Sequence, residues 1–147
     1  MSGFPPARID SFRGNYRFLS NFWRCTIPYM GERFPSLEHA YQAAKCSKRE
    51  DVEYILTART PGVAKARGRA IVIRPGWEEI KVGVMRELVL LKFSIHKDLS
   101  LALIDTYPAE LIEGNDWGDR FWGVCNGEGL NWLGRILMEV RQKKVRP

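Results

Sequence analysis

The longest hydrophobic pattern in the chain follows Pro75-Gly76 and recurs at helical spacing. Its apolar residues are separated by four, four, three and four positions, and they are Ile80, Val84, Leu88, Leu91 and Ile95. This is the period of one face of an α-helix. The pattern predicts a long helix that begins at Trp77, with these five side chains facing a core.

Shorter helices are predicted from capping residues and helix formers. Ser36 and Thr60 can each accept a hydrogen bond from a backbone amide at a helix start, and Pro61 suits the first helical position. A final helix shows apolar residues on one face at Leu133, Ile136, Leu137 and Val140. The predicted shorter helices cover residues 37–46, 51–58, 61–68, 99–106 and 130–143.

Extended segments are few and short. A strand at 23–27 is expected to form a hairpin with Arg33 and Phe34 through a turn at Gly31, and further extended pieces are expected at 70–73 and 109–112. The fold class is therefore α+β, mainly helical with a few short strands. With 147 residues, 45% of them hydrophobic, the chain fits one domain, and residues 1–11 and 142–147 are expected to be flexible ends.

The sequence composition indicates the cellular compartment in which the protein is expected. No apolar run approaches the ~20 residues that span a bilayer, and the N-terminus lacks the apolar segment of a signal peptide. We expect a soluble cytoplasmic protein with no membrane partner. Cys25, Cys46 and Cys125 lie far apart and only two histidines accompany them, so neither a disulfide framework nor a metal site is predicted.

The net charge of +6, from 23 basic and 17 acidic residues, indicates an anionic partner. Nucleic acid and a phosphate ester fit it equally well. The C-terminal R-Q-K-K-V-R is either a solvated tail or part of the basic surface that would contact such a partner. No oligomeric state is predicted.

Candidate chemistry begins in the helix predicted after Ser36. Glu38, Gln42 and Lys45 are spaced by four and three residues, which places a carboxylate, an amide and an ammonium group on one helix face. An ordinary solvated face with two charges has the same spacing. Taken alone, the pattern leaves both readings open.

A second candidate lies in the run from Asn115 to Gly134, which combines five glycines and three tryptophans with two aspartates. Tryptophan favours burial while glycine and aspartate favour turns, so this composition is typical of the wall of a site. Asp119 lies between Trp117 and Trp122. It is either an acid or base in a partly desolvated setting or a turn aspartate that caps local amides.

Several isolated residues suit recognition of a nucleotide. Trp77 can stack on a planar ring from a helix start, although a lone tryptophan is commonly a core anchor. The Asn21 amide can both donate to and accept from a base or ribose, and its alternative is a turn residue. Lys45, Arg67 and Arg69 are candidates for phosphate contacts.

The joint order of these motifs resembles the YbiA-like family, also called the NADAR domain family. The resemblance runs from about residue 12 to 141. It rests on F-L-S-N-F (18–22), P-S-L-E-H-A-Y-Q-A-A-K (35–45), A-R-G-R (66–69), W-E-E-I-K-V-G-V-M-R-E-L-V-L-L-K-F (77–93), A-E-L-I-E (109–113), D-R-F-W-G (119–123) and G-L-N-W-L-G-R-I-L-M-E-V-R (129–141).

The resemblance implies an N-glycosidase, a hydrolase of the C1′–N bond between ribose and a base or base-like amine. Family substrates are phosphoribosylamino-pyrimidine intermediates of riboflavin synthesis and ADP-ribose on guanine in nucleic acid. The family's glutamate, tryptophan and aspartate map onto Glu38, Trp77 and Asp119. The motifs also imply substrate-binding positions, which are Asn21, Phe22, Gln42, Lys45, Arg67, Arg69, Trp122, Gly123 and Asn131.

The expected mechanism uses two carboxylates and no metal or redox cofactor. One of Glu38 and Asp119 would stabilise an oxocarbenium-like state and the other would activate water, in an order that the sequence leaves open. A non-catalytic module that binds ADP-ribose or a nucleotide is the alternative. A third possibility is a basic nucleic-acid binder whose aromatic residues stack on bases.

Overall fold

The computed structural model describes residues 4–146, which contain six α-helices, one 3₁₀ helix and six short strands. The α-helices are α1 (Leu37–Ala44), α2 (Arg49–Leu56), α3 (Pro61–Arg67), α4 (Trp77–Ile95), α5 (Lys97–Asp105) and α6 (Trp132–Val145). The strands are β1 (Arg8–Ile9), β2 (Arg24–Tyr29), β3 (Glu32–Ser36), β4 (Glu110–Leu111), β5 (Gly114–Asn115) and β6 (Val124–Cys125), and the 3₁₀ helix is Gly14–Leu19. The predicted class, α+β and mainly helical, is confirmed.

The chain forms two compact units. The terminal unit consists of the chain up to Ser20 and the chain from Phe93 onward, and the insert unit is the continuous stretch Asn21–Lys92. The prediction of one domain stays a prediction.

The insert unit is built on a hairpin and three short helices. β2 and β3 pair antiparallel through Met30-Gly31, where both residues have positive φ, as a two-residue type I′ turn requires. α1 packs against both strands and against α2 and α3. Capping fixes the helix starts as predicted, because Ser36 Oγ accepts from His39 N at 3.1 Å and Thr60 Oγ1 from Val63 N at 3.0 Å.

The terminal unit uses short parallel pairs and two packed helices. β1 pairs with β4, β5 pairs with β6, and α6 packs against β4 and α5. The predicted buried face of the last helix is confirmed, since all four of its apolar residues are buried, namely Leu133, Ile136, Leu137 and Val140.

The predicted core face of α4 is wrong. Ile80 and Ile95 are 37% and 44% exposed, and of the five predicted residues only Leu88 is buried. The buried residues of this helix are instead Trp77, Met85, Leu88, Val89, Lys92 and Phe93. Apolar residues occur on more than one side of α4, so its periodicity alone did not identify the face that the tertiary structure buries.

Local predictions near strands also need correction. Residues 70–73 form a bend with an isolated bridge from Ile73 to Cys46 rather than a strand, and the 3₁₀ helix at Gly14–Leu19 was not predicted. The remaining helices lie within about two residues of their predicted bounds, as is usual for helix ends.

The segments predicted to be flexible ends carry secondary structure. β1 lies in the first of them and the last turn of α6 in the second, while residues 1–3 and 147 lie outside the described residues. Their flexibility stays a prediction. Within residues 4–146, no helix is long and apolar enough to cross a membrane.

Candidate active site

Glu38 lies in the first turn of α1, in the insert unit. Ser36 caps this helix, and the backbone amide of Glu38 donates to the carbonyl of Asn21 at 3.0 Å. The side chain of Glu38 is buried, with 7% of the residue exposed. A carboxylate at this end of a helix is favoured by the helix dipole.

A chain of hydrogen bonds leads away from the Glu38 carboxylate. Gln42 Nε2 donates to Glu38 Oε2 at 2.7 Å, and Lys45 Nζ donates to Gln42 Oε1 at 2.9 Å. Lys45 Nζ also donates to the carbonyl of Gly68 at 3.4 Å. The three side chains predicted to share a helix face are therefore linked, and Gln42 uses both ends of its amide to join carboxylate to ammonium.

Gly68, which follows α3, leaves the room that this linkage needs. A Cβ atom built at this position would collide with the Oε1 atom of Gln42 and lie 2.6 Å from its Cδ. From the sequence pattern A-R-G-R, the two arginines were predicted to contact substrate. In the structure, the glycine between them leaves the space that the Gln42 amide occupies.

Lys45 is half-buried, and burial lowers the pKa of its ammonium group. The charge of Glu38 opposes this shift, while the charge of Arg69 adds to it. Lys45 is therefore subject to a carboxylate that stabilises its charge and to an exposed arginine that repels it.

Trp77 does not project from the start of α4 as a free stacking plate. It is 5% exposed, and its ring lies 5.3 Å from the ring of Tyr41 at an interplanar angle of 57°. Tyr41 belongs to α1, so the indole packs on the same helix that carries Glu38. The core-anchor alternative describes its position.

The side chain of Arg67 forms hydrogen bonds with groups at the end of α2. Its Nη1 donates to the carbonyl of Tyr54 at 2.7 Å and to Thr57 Oγ1 at 3.3 Å, and its guanidinium lies 4.5 Å from the centre of the Tyr54 ring. A basic side chain at this helix end satisfies a terminal carbonyl. Arg69, by contrast, is exposed.

The two predicted residues before β2 differ in exposure. Asn21 is partly buried, and its Nδ2 lies 3.6 Å from the sulfur of Met85. Phe22 is 42% exposed. The phenyl ring is accordingly the more accessible of the two groups.

Asp119, in the terminal unit, forms a tight local turn. Its Oδ1 accepts from the backbone amides of Phe121 at 3.0 Å and Trp122 at 2.9 Å. The alternative of a turn aspartate that caps amides thus holds for this oxygen.

Neighbours of Asp119 in the predicted site are closely packed. Trp122 stands edge-on to Phe121 with ring centres 4.8 Å apart, and Gly123 is buried where a Cβ would collide with Glu113. Asn131 accepts from Glu113 N at 2.9 Å and donates to Leu111 O at 3.0 Å. Its amide therefore joins the start of α6 to the end of β4 and to Glu113.

Comparison with known proteins identifies the family of this chain. The NADAR domain matches residues 10–144. The chain belongs to the NADAR domain family. In sequence it is similar to N-glycosidase YbiA of Shigella sonnei, 37% identical over 132 residues that cover 88% of this chain and 82% of that protein.

Two further similarities are informative. A riboflavin biosynthesis protein of Vibrio vulnificus is 39% identical over 132 residues, which are 88% of this chain and 36% of that protein. The NMR structure of the Escherichia coli protein YbiA superimposes with a TM-score of 0.83 at 34% identity, covering 99% of this chain and 87% of that one. The predicted enzyme class is confirmed: this NADAR domain chain is an N-glycosidase, a hydrolase of N-glycosyl bonds.

Sequence reasoning missed a buried histidine in this NADAR domain. His39 Nε2 lies 3.0 Å from the carbonyl of Ala58, and its Nδ1 lies 2.7 Å from Ser36 Oγ. Burial lowers the pKa of His39, so the ring is neutral at pH 7 with its proton on Nε2, and Ser36 donates to Nδ1. The one signal in the sequence was the position of His39 three residues after the capping serine.

Within residues 4–146 of this NADAR domain chain, His, Cys, Asp and Glu side chains form no group of three that could hold a metal ion, and none of the three cysteines forms a disulfide. The expectation that the enzyme needs no metal stays a prediction.

Proposed function

We propose that this protein hydrolyses the C1′–N bond that joins a ribose to a base or base-like amine in a phosphorylated substrate. The observation that carries the proposal is the buried carboxylate of Glu38, held through Gln42 by Lys45. A carboxylate fixed in a low-dielectric setting can stabilise positive charge that develops on a substrate without first reorganising.

The bond to be broken requires this kind of group. Cleavage of a ribosyl C–N bond develops oxocarbenium character at C1′, and a water molecule must then deliver its oxygen there while the amine leaves with a proton. We assign the two carboxylate tasks, charge stabilisation and water activation, to Glu38 and Asp119 in either order. Hydrolysis transfers no electrons, so the proposal includes no redox cofactor, and it includes no metal.

Groups near Glu38 suit a phosphorylated sugar. Lys45 Nζ has three donors and uses two of them on Gln42 and Gly68, which leaves one for a phosphate oxygen. Arg69 is exposed and its charge acts on Lys45. We propose that both cations contact phosphate, and that Gln42 contributes chiefly by orienting Glu38.

Aromatic and amide groups would contact the base. Phe22 offers an exposed ring for stacking, and Asn21 lies beside it with its carbonyl on the Glu38 amide. Since Trp77 is 5% exposed, we propose that it forms the wall behind α1. We propose an indirect role for three residues that shape the turn containing Asp119, namely Trp122, Gly123 and Asn131. Arg67 would also act indirectly, through its contacts at the end of α2.

Two substrate classes share the required bond. One is a phosphoribosylamino-pyrimidine, an intermediate of riboflavin synthesis, and it is favoured by the similarity to a protein named for riboflavin biosynthesis. The other is ADP-ribosylated guanine in nucleic acid, which the net charge of +6 suits through phosphate contacts.

The test is incubation of the purified protein with each substrate class in ¹⁸O-labelled water, followed by mass analysis. Hydrolysis is expected to release free amine or base and a ribose phosphate or ADP-ribose that carries ¹⁸O at C1′. Intact substrate in both reactions would overturn the proposal and favour a module that binds without cleavage.

Salt dependence then separates the two classes of substrate. If nucleic acid is contacted at several phosphates, kcat/KM falls steeply between about 50 and 200 mM salt. A phosphoribosylamino-pyrimidine has one phosphate, so its kcat/KM should change much less over the same range.

A further inference from the structure

The side-chain amide of Asn115 holds both backbone polar groups of Asp119. Asn115 Oδ1 accepts from Asp119 N at 3.0 Å, and Asn115 Nδ2 donates to Asp119 O at 2.9 Å. These two bonds close a loop whose tip is residues 116–118. With its N–H and its C=O both anchored, the backbone of Asp119 is held in one conformation, which fixes the direction of its Cα–Cβ bond.

The orientation of the Asn115 amide is itself determined. The backbone carbonyl of Asp119 can only accept, so the amide nitrogen must face it, and from that position Nδ2 also donates to Glu113 Oε2 at 3.0 Å. The amide oxygen is thereby left to face Asp119 N. Gly123 provides the space, because a Cβ there would collide with the Glu113 carboxylate and lie 2.8 Å from Asn115 Nδ2.

We propose that Asn115 is the positioning residue of Asp119. The bonds from Phe121 N and Trp122 N fix Oδ1 of Asp119. The two bonds between the Asn115 amide and the Asp119 backbone, called the clamp below, fix the backbone that carries this side chain. Together they keep Oδ2 in a constant direction. The inference rests on the proposed function, since the catalytic role of Asp119 is part of that proposal.

Two substitutions at this position differ in pH dependence. Asn115→Ser removes the clamp at every pH. Asn115→Asp keeps an acceptor for Asp119 N but places a carboxylate against Glu113 and the Asp119 carbonyl, a repulsion that ends when the new carboxyl takes up a proton and donates.

The experiment measures kcat and KM of both variants from pH 5 to 7.5, with the ribosylated substrate that the wild type cleaves. At pH 7.5 both should lose about 10- to 100-fold in kcat, the cost of a misplaced catalytic group, with KM changed by less than about threefold. The ratio of Asn115→Asp to wild type should rise as the pH falls, and that of Asn115→Ser should not. Asn15→Asp and Asn15→Ser, at an exposed position, are the matched controls.

Asp119→Asn separates this inference from the proposed function. If Asp119→Asn keeps the wild-type kcat, the catalytic role of Asp119 is wrong. If Asp119→Asn is inactive while Asn115→Ser keeps kcat within about twofold, the positioning role alone is overturned.

Amide hydrogen exchange provides a readout that does not need an active variant. In the wild type, the side-chain NH₂ of Asn115 should exchange at least ~10-fold more slowly than that of Asn15, because it is bonded and part-buried. Equal exchange rates would overturn the clamp. Faster exchange at Phe121 and Trp122 in Asn115→Ser with no loss of kcat would show a purely structural amide and would equally overturn the proposal.

Discussion

Gln42 donates to Glu38 over 2.7 Å from one helical turn further along α1, so a neutral amide orients the buried carboxylate. The same amide accepts from Lys45, which polarises it and strengthens its donation to Glu38. A buried polar chain of this kind is costly when one member is removed, because the others lose their partners. The position of the Glu38 carboxylate should therefore change when Gln42 or Lys45 is replaced, although Glu38 itself is unaltered.

Replacement of the carboxylate itself tests its role in catalysis. Glu38→Gln should lower kcat by about 10²–10⁴-fold, since an amide can neither stabilise positive charge as an anion nor accept a proton from water. The protein should still fold, because the new side-chain oxygen can accept from Gln42. Steady-state kinetics and circular dichroism measure both effects, with Glu50→Gln on the exposed side of α2 as the control. Full activity of a folded Glu38→Gln protein on every ribosylated substrate would contradict the assignment.

Gly68→Ala tests the hydrogen-bonded chain of Glu38, Gln42 and Lys45 by a substitution that lies outside α1. The added methyl group should displace the Gln42 amide and release Glu38, which lowers kcat by about 10-fold, a smaller effect than loss of the carboxylate itself. Gly83→Ala in α4 is the matched control, because nothing lies within 4 Å of its Cβ, and it should raise the free energy of unfolding by up to ~1 kcal/mol. Unchanged kinetics in Gly68→Ala would show that the position of Gln42 does not matter for activity.

Trp77 and Trp117 should differ sharply in their effect on stability. Trp77→Ala removes a buried ring that packs on Tyr41 and should lower the free energy of unfolding by about 3–5 kcal/mol. Trp117 is 55% exposed, so Trp117→Ala should cost less than ~1 kcal/mol. Urea denaturation compares them, and similar losses for both would contradict the burial of Trp77.

Lys92 should make stability depend on pH in the alkaline range. The side chain is 1% exposed, and burial lowers the pKa of its ammonium group from 10.5 to about 8, with Cys25 opposing the shift. Between these two values the unfolded chain binds more protons than the folded chain, so the free energy of unfolding should rise with pH from about 8 to 10.5. The rise attributable to Lys92 is on the order of 2–3 kcal/mol.

Comparison with Lys92→Met isolates this contribution. Urea denaturation at several values between pH 7.5 and 10.5 should show that the variant lacks the extra rise of the wild type. Lys97→Met, at an exposed position, should retain it. Parallel pH curves for the wild type and Lys92→Met would show that Lys92 keeps its ordinary pKa in the folded protein.

The wrong prediction for α4 illustrates the limit of periodicity. The five spaced residues that end at Ile95 do follow a helical period, and a helix does form, but the buried face includes Met85 and the cation Lys92. A helix with apolar residues on several sides has several possible core faces. The choice among them depends on the partners that pack against it, and a buried lysine gives no hydrophobic signal.

The sequence by itself determined the fold class, the capped start of α1 and the alignment of Glu38, Gln42 and Lys45, because helix geometry places residues four and three apart on one face. Only the tertiary structure decided what those groups meet. The Gly68 carbonyl at Lys45, the burial of Trp77 and the clamp of Asn115 on Asp119 join groups through backbone turns and close approaches that a one-dimensional spacing does not encode. Whether a buried polar group finds its partner is a three-dimensional condition, and in this chain it determines the geometry of the candidate site.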